Sequence, residues 1–255
     1  MSDLSELLAK LGFRLTPEAL AALLTHATKS KLSPVQFLEA LCDGERRERE
    51  ARNLARRAKL AALGSPKPLD RFDWNHPRAI ERHLFESLYD SLDFVDRGEN
   101  VLLRGQAGVG KTTLAQHLGL RALERGLTVR FSTLPAALAD LLRQESLPAT
   151  ERRLRRYVTP DLLILDELGY VPCDARAADL FFHIVSRRHE KRSIVVTTNL
   201  SYKQWGSVFR DASCLGALID RFAQHCHTLD IDADSWRQTG SEQKERKKRK
   251  ERAEP

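Results

Sequence analysis

One octapeptide constrains this chain more than any other stretch of it. Gly105-Gln106-Ala107-Gly108-Val109-Gly110-Lys111-Thr112 meets G-x-x-x-x-G-K-[ST] at every fixed position, the pattern of a Walker A phosphate loop. Such a loop needs a strand before it and a helix after it. The glycines let backbone N–H groups turn inward around phosphate oxygens, and the helix N-terminus adds a favourable dipole. The apolar run Val101-Leu102-Leu103 precedes the loop, and a segment of helical period follows it. Lys111 is expected to reach the β- and γ-phosphates and Thr112 to ligate Mg2+. The expected ATP-binding set is Gly105, Gln106, Ala107, Gly108, Val109, Gly110, Lys111, Thr112 and Thr113.

A second run completes the chemistry. Leu162-Leu163-Ile164-Leu165-Asp166-Glu167 reads as a buried strand ending in two carboxylates. Burying two acids there without a cation would be costly. Asp166 is therefore assigned to Mg2+, through water, and Glu167 to orienting and deprotonating the attacking water. Asn199 closes the strand run Ile194-Val195-Val196-Thr197 through Thr198. Its uncharged carboxamide is placed to hold that water from the other side; a turn residue capping the strand is the alternative.

Around these runs the chain alternates strand and helix. Thr128-Val129-Arg130-Phe131 and Thr228-Leu229-Asp230-Ile231 are further short strands. Short apolar strands separated by helices imply an α/β fold, a parallel sheet with helices on both faces. Residues 1–64 read as a small all-helical domain. Leucines recur at helical spacing, and Thr16-Pro17 and Ser33-Pro34 are helix starts, the second reinforced by Gln36. Gly64-Ser65-Pro66-Lys67-Pro68 looks like a linker, residues 65–238 form the ATPase domain, and residues 239–255 read as a basic, disordered tail.

Composition narrows the class. No apolar run approaches the roughly 20 residues of a membrane span, and the acidic opening Met1-Ser2-Asp3-Leu4-Ser5-Glu6 lacks the order of a signal peptide. A cytoplasmic protein without a membrane partner is expected. Cys42, Cys173, Cys214 and Cys226 are far apart in sequence, which suggests reduced, mostly buried thiols rather than a zinc site. The formal net charge is +7. Residues 1–65 carry 11 basic and 8 acidic side chains, residues 239–255 carry 7 and 4, and residues 66–238 carry 24 and 23. Basic appendages on a near-neutral core attract a polyanion, most often nucleic acid, though charge alone leaves a merely solvated surface equally open.

A Walker A loop, an Asp-Glu Walker B strand and a strand-terminal Asn, in that order, resemble the AAA+ ATPases. Narrower runs resemble the IstB family of transposition-helper ATPases, kin of the DnaC helicase loaders. They are Asp166-Glu167-Leu168-Gly169-Tyr170-Val171-Pro172, Arg188-His189-Glu190-Lys191-Arg192-Ser193, Thr198-Asn199-Leu200, Trp205-Gly206 and Asp220-Arg221-Phe222. The resemblance implies a five-stranded parallel sheet in the order 5-1-4-3-2 and nucleotide bound between protomers. It implies that Arg221 reaches the γ-phosphate of a neighbour. Without the resemblance, Arg221 is a helix-end arginine beside Asp220. Arg237, in Ser235-Trp236-Arg237 where the family usually has Tyr before the Arg, is implied to contact nucleotide in cis. The implied cofactors are ATP and Mg2+. The implied partners are duplex DNA bound with little sequence preference, a transposase, and further copies of the chain assembled with ATP and DNA.

Initiator-type AAA+ proteins carry extra helical structure between the second strand and Walker B. Here residues 133–160 hold the helical run Leu134–Leu142 and then Arg152, Arg153, Arg155 and Arg156. These four suit phosphate contact; the alternative is a solvated helix face with Leu154 and Tyr157 packed inward. Arg46, Arg47, Arg49, Arg52, Arg56, Arg57 and Lys59 offer a second surface, or pair with the interleaved glutamates. Two other functions stand beside the transposition helper: a helicase loader in replication, and an adaptor that ATP switches with negligible turnover.

Overall fold

The computed structural model describes residues 2–74 and 79–232. The chain divides into two compact units, residues 1–59 and residues from 60 onward. In the first, α1 (Ser2–Lys10), α2 (Pro17–Lys29) and α3 (Pro34–Ala61) follow the expected helices. Thr16 caps α2 by accepting from Ala19 N–H at 3.2 Å. Ser33 and Gln36 form the capping box that starts α3, at 2.8 and 3.3 Å. Glu45, 5% exposed, organises this unit. It accepts from Arg14 N–H at 2.6 Å, Leu15 N–H at 3.0 Å and the Arg49 guanidinium at 2.6 Å. Arg49 and Arg52 also donate to the carbonyls of Gly12 and Arg14 at 3.0 and 3.2 Å. So two of the α3 arginines tie the α1–α2 connection to α3, and Arg46 pairs with Asp43 at 3.1 Å.

The second unit begins at Leu60. Ala61 and Leu63 are 0% and 3% exposed and belong to its core, because α3 runs on past residue 59. The elements are β1 (Ala79–Ile80), α4 (Arg82–Ser91), α5 (Asp93–Asp96), β2 (Asn100–Gly105), α6 (Lys111–Glu124), β3 (Val129–Thr133) and α7 (Leu134–Leu142). There follow α8 (Leu147–Val158), β4 (Leu162–Leu168), α9 (Ala175–Arg188), β5 (Ser193–Thr198), α10 (Trp205–Val208), α11 (Leu215–Ala223) and β6 (Cys226–Asp232). The sheet order is β1-β6-β2-β5-β4-β3. β2 to β6 are parallel, and in their own sequence they follow the expected 5-1-4-3-2. The two-residue β1 adds an antiparallel edge to β6, too short to show as a pattern in the sequence.

Alternate residues of each strand face opposite sides, which places the two cores. Val101, Leu103, Leu162, Ile164 and Val195 pack under α6 with Leu114, Leu118, Phe85 and Phe94. Leu102, Leu163, Leu165, Ile194 and Val196 pack against α7, α9 and α11 through Leu138, Phe181, Ile184 and Phe222. Continuous apolar strands arise because both faces are covered. The cysteines correct one expectation. All four are free, but Cys42 is exposed and Cys173, Cys214 and Cys226 are only half-buried. No helix among the described residues is long and apolar enough to cross a membrane.

Candidate nucleotide site

The parallel sheet brings the C-terminal ends of β2, β4 and β5 together. The phosphate loop leaves β2 and opens α6. Gly110 sits at φ +95°, and a Cβ there would come within 2.5 Å of the Phe72 ring, so both conformation and space require glycine. Lys111 is 7% exposed, and its ammonium donates to the carbonyls of Gly105 and Gln106 at 2.8 and 2.6 Å. The Thr112 hydroxyl donates to the Asp166 carboxylate at 3.0–3.1 Å. Asp166 is 4% exposed and also accepts from the Thr197 hydroxyl. Glu167 is exposed and adopts φ +64°, a left-handed conformation that costs roughly 1–2 kcal/mol for a residue with a Cβ.

These groups open on a cavity of about 680 Å3. Gly108, Val109, Gly110, Lys111, Thr112, Thr113, Asp166, Glu167, Tyr170 and Thr197 form one wall, and residues 65–68 and 71–73 form the other. The second wall includes residues of the segment read as a linker. Gln116 Nε2 donates to Leu63 O at 2.7 Å, His117 Nε2 lies 2.7 Å from Lys67 O, and the Phe72 ring rests on the phosphate loop. Phe72 in turn meets Trp74 edge-on at 4.7 Å. Prolines and a glycine marked residues 64–68 as connecting chain, and Phe72 and Trp74 were the available sign that the segment just beyond packs. In the sequence Thr197 is one residue of a strand run, and nothing in its local context marks its hydroxyl.

Other expected residues lie elsewhere. Asn199 follows β5 and lines a second depression with Arg104, Gly105, Gln106 and Asp230, and is not among the residues of the nucleotide cavity. Arg221, on α11, does not line the nucleotide cavity. Its guanidinium donates to the Ser186 hydroxyl at 2.5 Å and lies 4.8 Å from the Phe182 ring centre, both on α9. Arg237 lies outside the described residues.

The arginine cluster on α8 divides. Arg152, Arg155 and Arg156 are exposed, and their i, i+3, i+4 spacing puts them on one stripe. Arg153 turns to α7 and binds Asp140 through Nε at 2.7–2.8 Å and Nη2 at 2.5 Å. The Tyr157 hydroxyl donates to the same carboxylate at 2.7 Å. The Arg153 bond, ahead of the opposing effect of burial, holds the Asp140 carboxyl below its ordinary value. Burial first, then the bond to Asp140, pushes the Tyr157 phenol up to about 12. So Arg153 holds Asp140 most closely, with Arg156 3.9 Å from the same carboxylate, while Leu154 and Tyr157 pack inward.

A glycine-rich phosphate loop between a central parallel strand and a helix, with a carboxylate-ended strand beside it in the order 5-1-4-3-2, defines an ATP-binding protein of the AAA+ class. DnaI matches over 68% of this chain and 90% of its own, at TM-score 0.54 and 19% identity. AMPPCP-bound DnaA from Aquifex aeolicus matches over 60% of this chain and 47% of its own, at TM-score 0.51 and 23% identity. Sequence places it more narrowly. The family described as IstB-like ATP binding protein matches residues 6–244, and the chain belongs to that family. A Pseudomonas aeruginosa relative, the insertion sequence IS21 putative ATP-binding protein, is 37% identical over 93% of this chain and 89% of its own length. A Geobacillus stearothermophilus relative, the insertion sequence IS5376 putative ATP-binding protein, is 34% identical over 86% and 87%.

Proposed function

We propose that this chain hydrolyses ATP with Mg2+, assembles with copies of itself on duplex DNA, and assists a transposase in target selection and DNA transposition. The observation that carries the nucleotide chemistry is the contact between Thr112 and Asp166, beside Lys111 and facing Glu167 across one cavity. A hydroxyl and a carboxylate 3.0–3.1 Å apart are a hard-oxygen pair of the kind Mg2+ takes. When bound, Mg2+ neutralises charge developing on the β- and γ-phosphate oxygens. Lys111 and the loop N–H groups orient the phosphates. The exposed Glu167 carboxylate orients the attacking water and takes its proton. Asn199 lines the neighbouring depression and not this cavity, so the water is left to Glu167, and Arg237 contacts nucleotide in cis.

Arg221 serves the cavity of a neighbouring copy, supplying positive charge where the transition state needs it. Its seat on α9, outside its own cavity, supports a role in trans. Arg152, Arg155 and Arg156 contact DNA phosphates, which position the duplex without reading its sequence. The relatives named for insertion sequences, at 34–37% identity, favour transposition over helicase loading. The likeness to DnaI carries the fold alone.

Phosphate release with and without Mg2+ tests the enzymology. Lys111→Ala should lose nucleotide affinity. Glu167→Gln should keep it while hydrolysis falls about 100-fold or more. Wild-type turnover by Glu167→Gln would sink the general-base assignment, and its absence in the wild type would favour the ATP-switched adaptor.

A further inference from the structure

Asp166 and Glu167 are consecutive, yet one is buried against the Thr112 hydroxyl and the other is exposed at the cavity. A single side chain on the next strand touches both. Thr197, on β5, is 1% exposed. Its hydroxyl donates to Asp166 Oδ1 and accepts from the Glu167 backbone N–H at 3.0 Å. One proton and two lone pairs allow a hydroxyl to make both bonds at once.

The backbone explains why this hydroxyl is needed. The β4–β5 pairing runs regularly through Leu165 opposite Val196, resumes at Leu168 opposite Thr198, and is irregular between. Within the gap Glu167 adopts φ +64°, which takes its N–H out of the ladder. The Thr197 hydroxyl accepts that N–H in place of a strand carbonyl. It uses its own proton to turn the Asp166 carboxylate, whose other bonds come from Thr112. Non-glycine residues persist in the left-handed region only where their surroundings over-determine it. Here the hydroxyl is one of those constraints, and it couples the strained residue to its neighbour.

We propose that Thr197 is a positioning residue of the ATPase site, setting the Asp166 carboxylate beside Thr112 and holding Glu167 in the turn that presents its side chain to the cavity. This rests on the roles of Asp166 and Glu167 proposed above. Outer partners that orient a metal-binding carboxylate change metal affinity or activity by about 10–100-fold when removed. A threonine is needed here for a different reason from the threonine of the phosphate loop: its hydroxyl bonds two other residues of the site, Asp166 and the Glu167 backbone.

The test uses the full chain as wild type, Thr197→Val and Thr197→Ser. Valine keeps the shape and loses both bonds; serine keeps both. The readouts are binding of a fluorescent ATP analogue against Mg2+ concentration, amide hydrogen exchange at Glu167, and phosphate release. Thr197→Val should raise the Mg2+ concentration for half-maximal binding and lower kcat, each about 10–100-fold, with a smaller change in KM. Its Glu167 amide should exchange faster, and Thr197→Ser should restore all three. Wild-type Mg2+ dependence and kcat in folded Thr197→Val would overturn the proposal, as would a folded Thr197→Ser that restores neither. If Thr197→Val does not fold, exchange in the wild type decides: protection of the Glu167 amide supports the assignment, and free-loop exchange refutes it. A wild type that binds nucleotide with Mg2+ but releases no phosphate would fail the hydrolysis reading alone, because the Mg2+ titration still judges Thr197.

Discussion

The split arginine cluster on α8 makes a quantitative prediction about DNA. If Arg152, Arg155 and Arg156 neutralise phosphates, each contact releases condensed counterions and contributes about 0.9 to the slope of log affinity against log salt. Changing all three to Gln should flatten that slope by about 2.7 for each engaged copy of the chain. Arg153→Gln should leave the slope nearly unchanged, since its guanidinium is already committed to Asp140. It should instead lower the melting temperature, because Asp140 loses its strongest partner and α7 loses a tie to α8. The assay is fluorescence anisotropy of labelled duplexes of unrelated sequence, titrated with salt at saturating ATP. Affinity losses should be alike across sequences, because phosphate contacts carry no base information. Equal slope changes for Arg153→Gln and for the triple variant would refute the division of the cluster. An unchanged slope in a triple variant that still assembles would remove α8 from the DNA path.

Two further outcomes concern stability. Arg188 is 0% exposed and donates to five carbonyls, those of Tyr157, Val158, Pro160, Asp161 and Ser193, and burial pushes its pKa down to about 9. Arg188→Met should cost about 3–5 kcal/mol, read as a lower urea midpoint at unchanged slope, and a loss under about 1 kcal/mol would show that those carbonyls find other donors. The Arg153 guanidinium holds the Asp140 carboxyl below its ordinary value. Its contribution to stability is therefore full above the unfolded-state pKa of about 3.9 and is lost as pH falls through the lower native value. The melting-temperature gap between wild type and Asp140→Asn should shrink across that acid window, and a gap independent of pH would refute it.

The five parallel strands were legible because buried parallel strands read as short apolar runs, whereas their order came only with the resemblance to the AAA+ ATPases. Lys111, Thr112, Asp166 and Glu167 were legible because the chemistry dictates residue type and spacing together. What lies outside depends on tertiary placement. Proline and glycine mark residues 64–68 as connecting chain whether or not it packs, so the cavity wall built around Phe72 stayed hidden. A run of arginines looks uniform in sequence, yet Arg153 alone is hydrogen-bonded to Asp140 of α7, a partner thirteen positions away that no local pattern reports. The irregularity between Leu165 and Leu168 leaves no trace in a continuous apolar run, and so nothing marks Thr197 in the sequence. The seat of Arg221 on Ser186 and Phe182 joins residues more than thirty positions apart, which no local pattern reports.

ATP hydrolysis between two copies of the chain, with Lys111 from one and Arg221 from the other, is tested most directly by mixing two inactive variants. Lys111→Ala cannot hold nucleotide but keeps its Arg221, and Arg221→Ala holds nucleotide but has no arginine to offer. Each alone should release almost no phosphate in the presence of Mg2+ and DNA. Mixed, and shown to co-assemble by energy transfer between labelled copies, they should regain phosphate release at the interfaces that combine an intact Lys111 cavity with an intact Arg221. Co-assembled mixtures that stay inactive would contradict catalysis in trans, and full activity of Arg221→Ala by itself would remove Arg221 from the reaction.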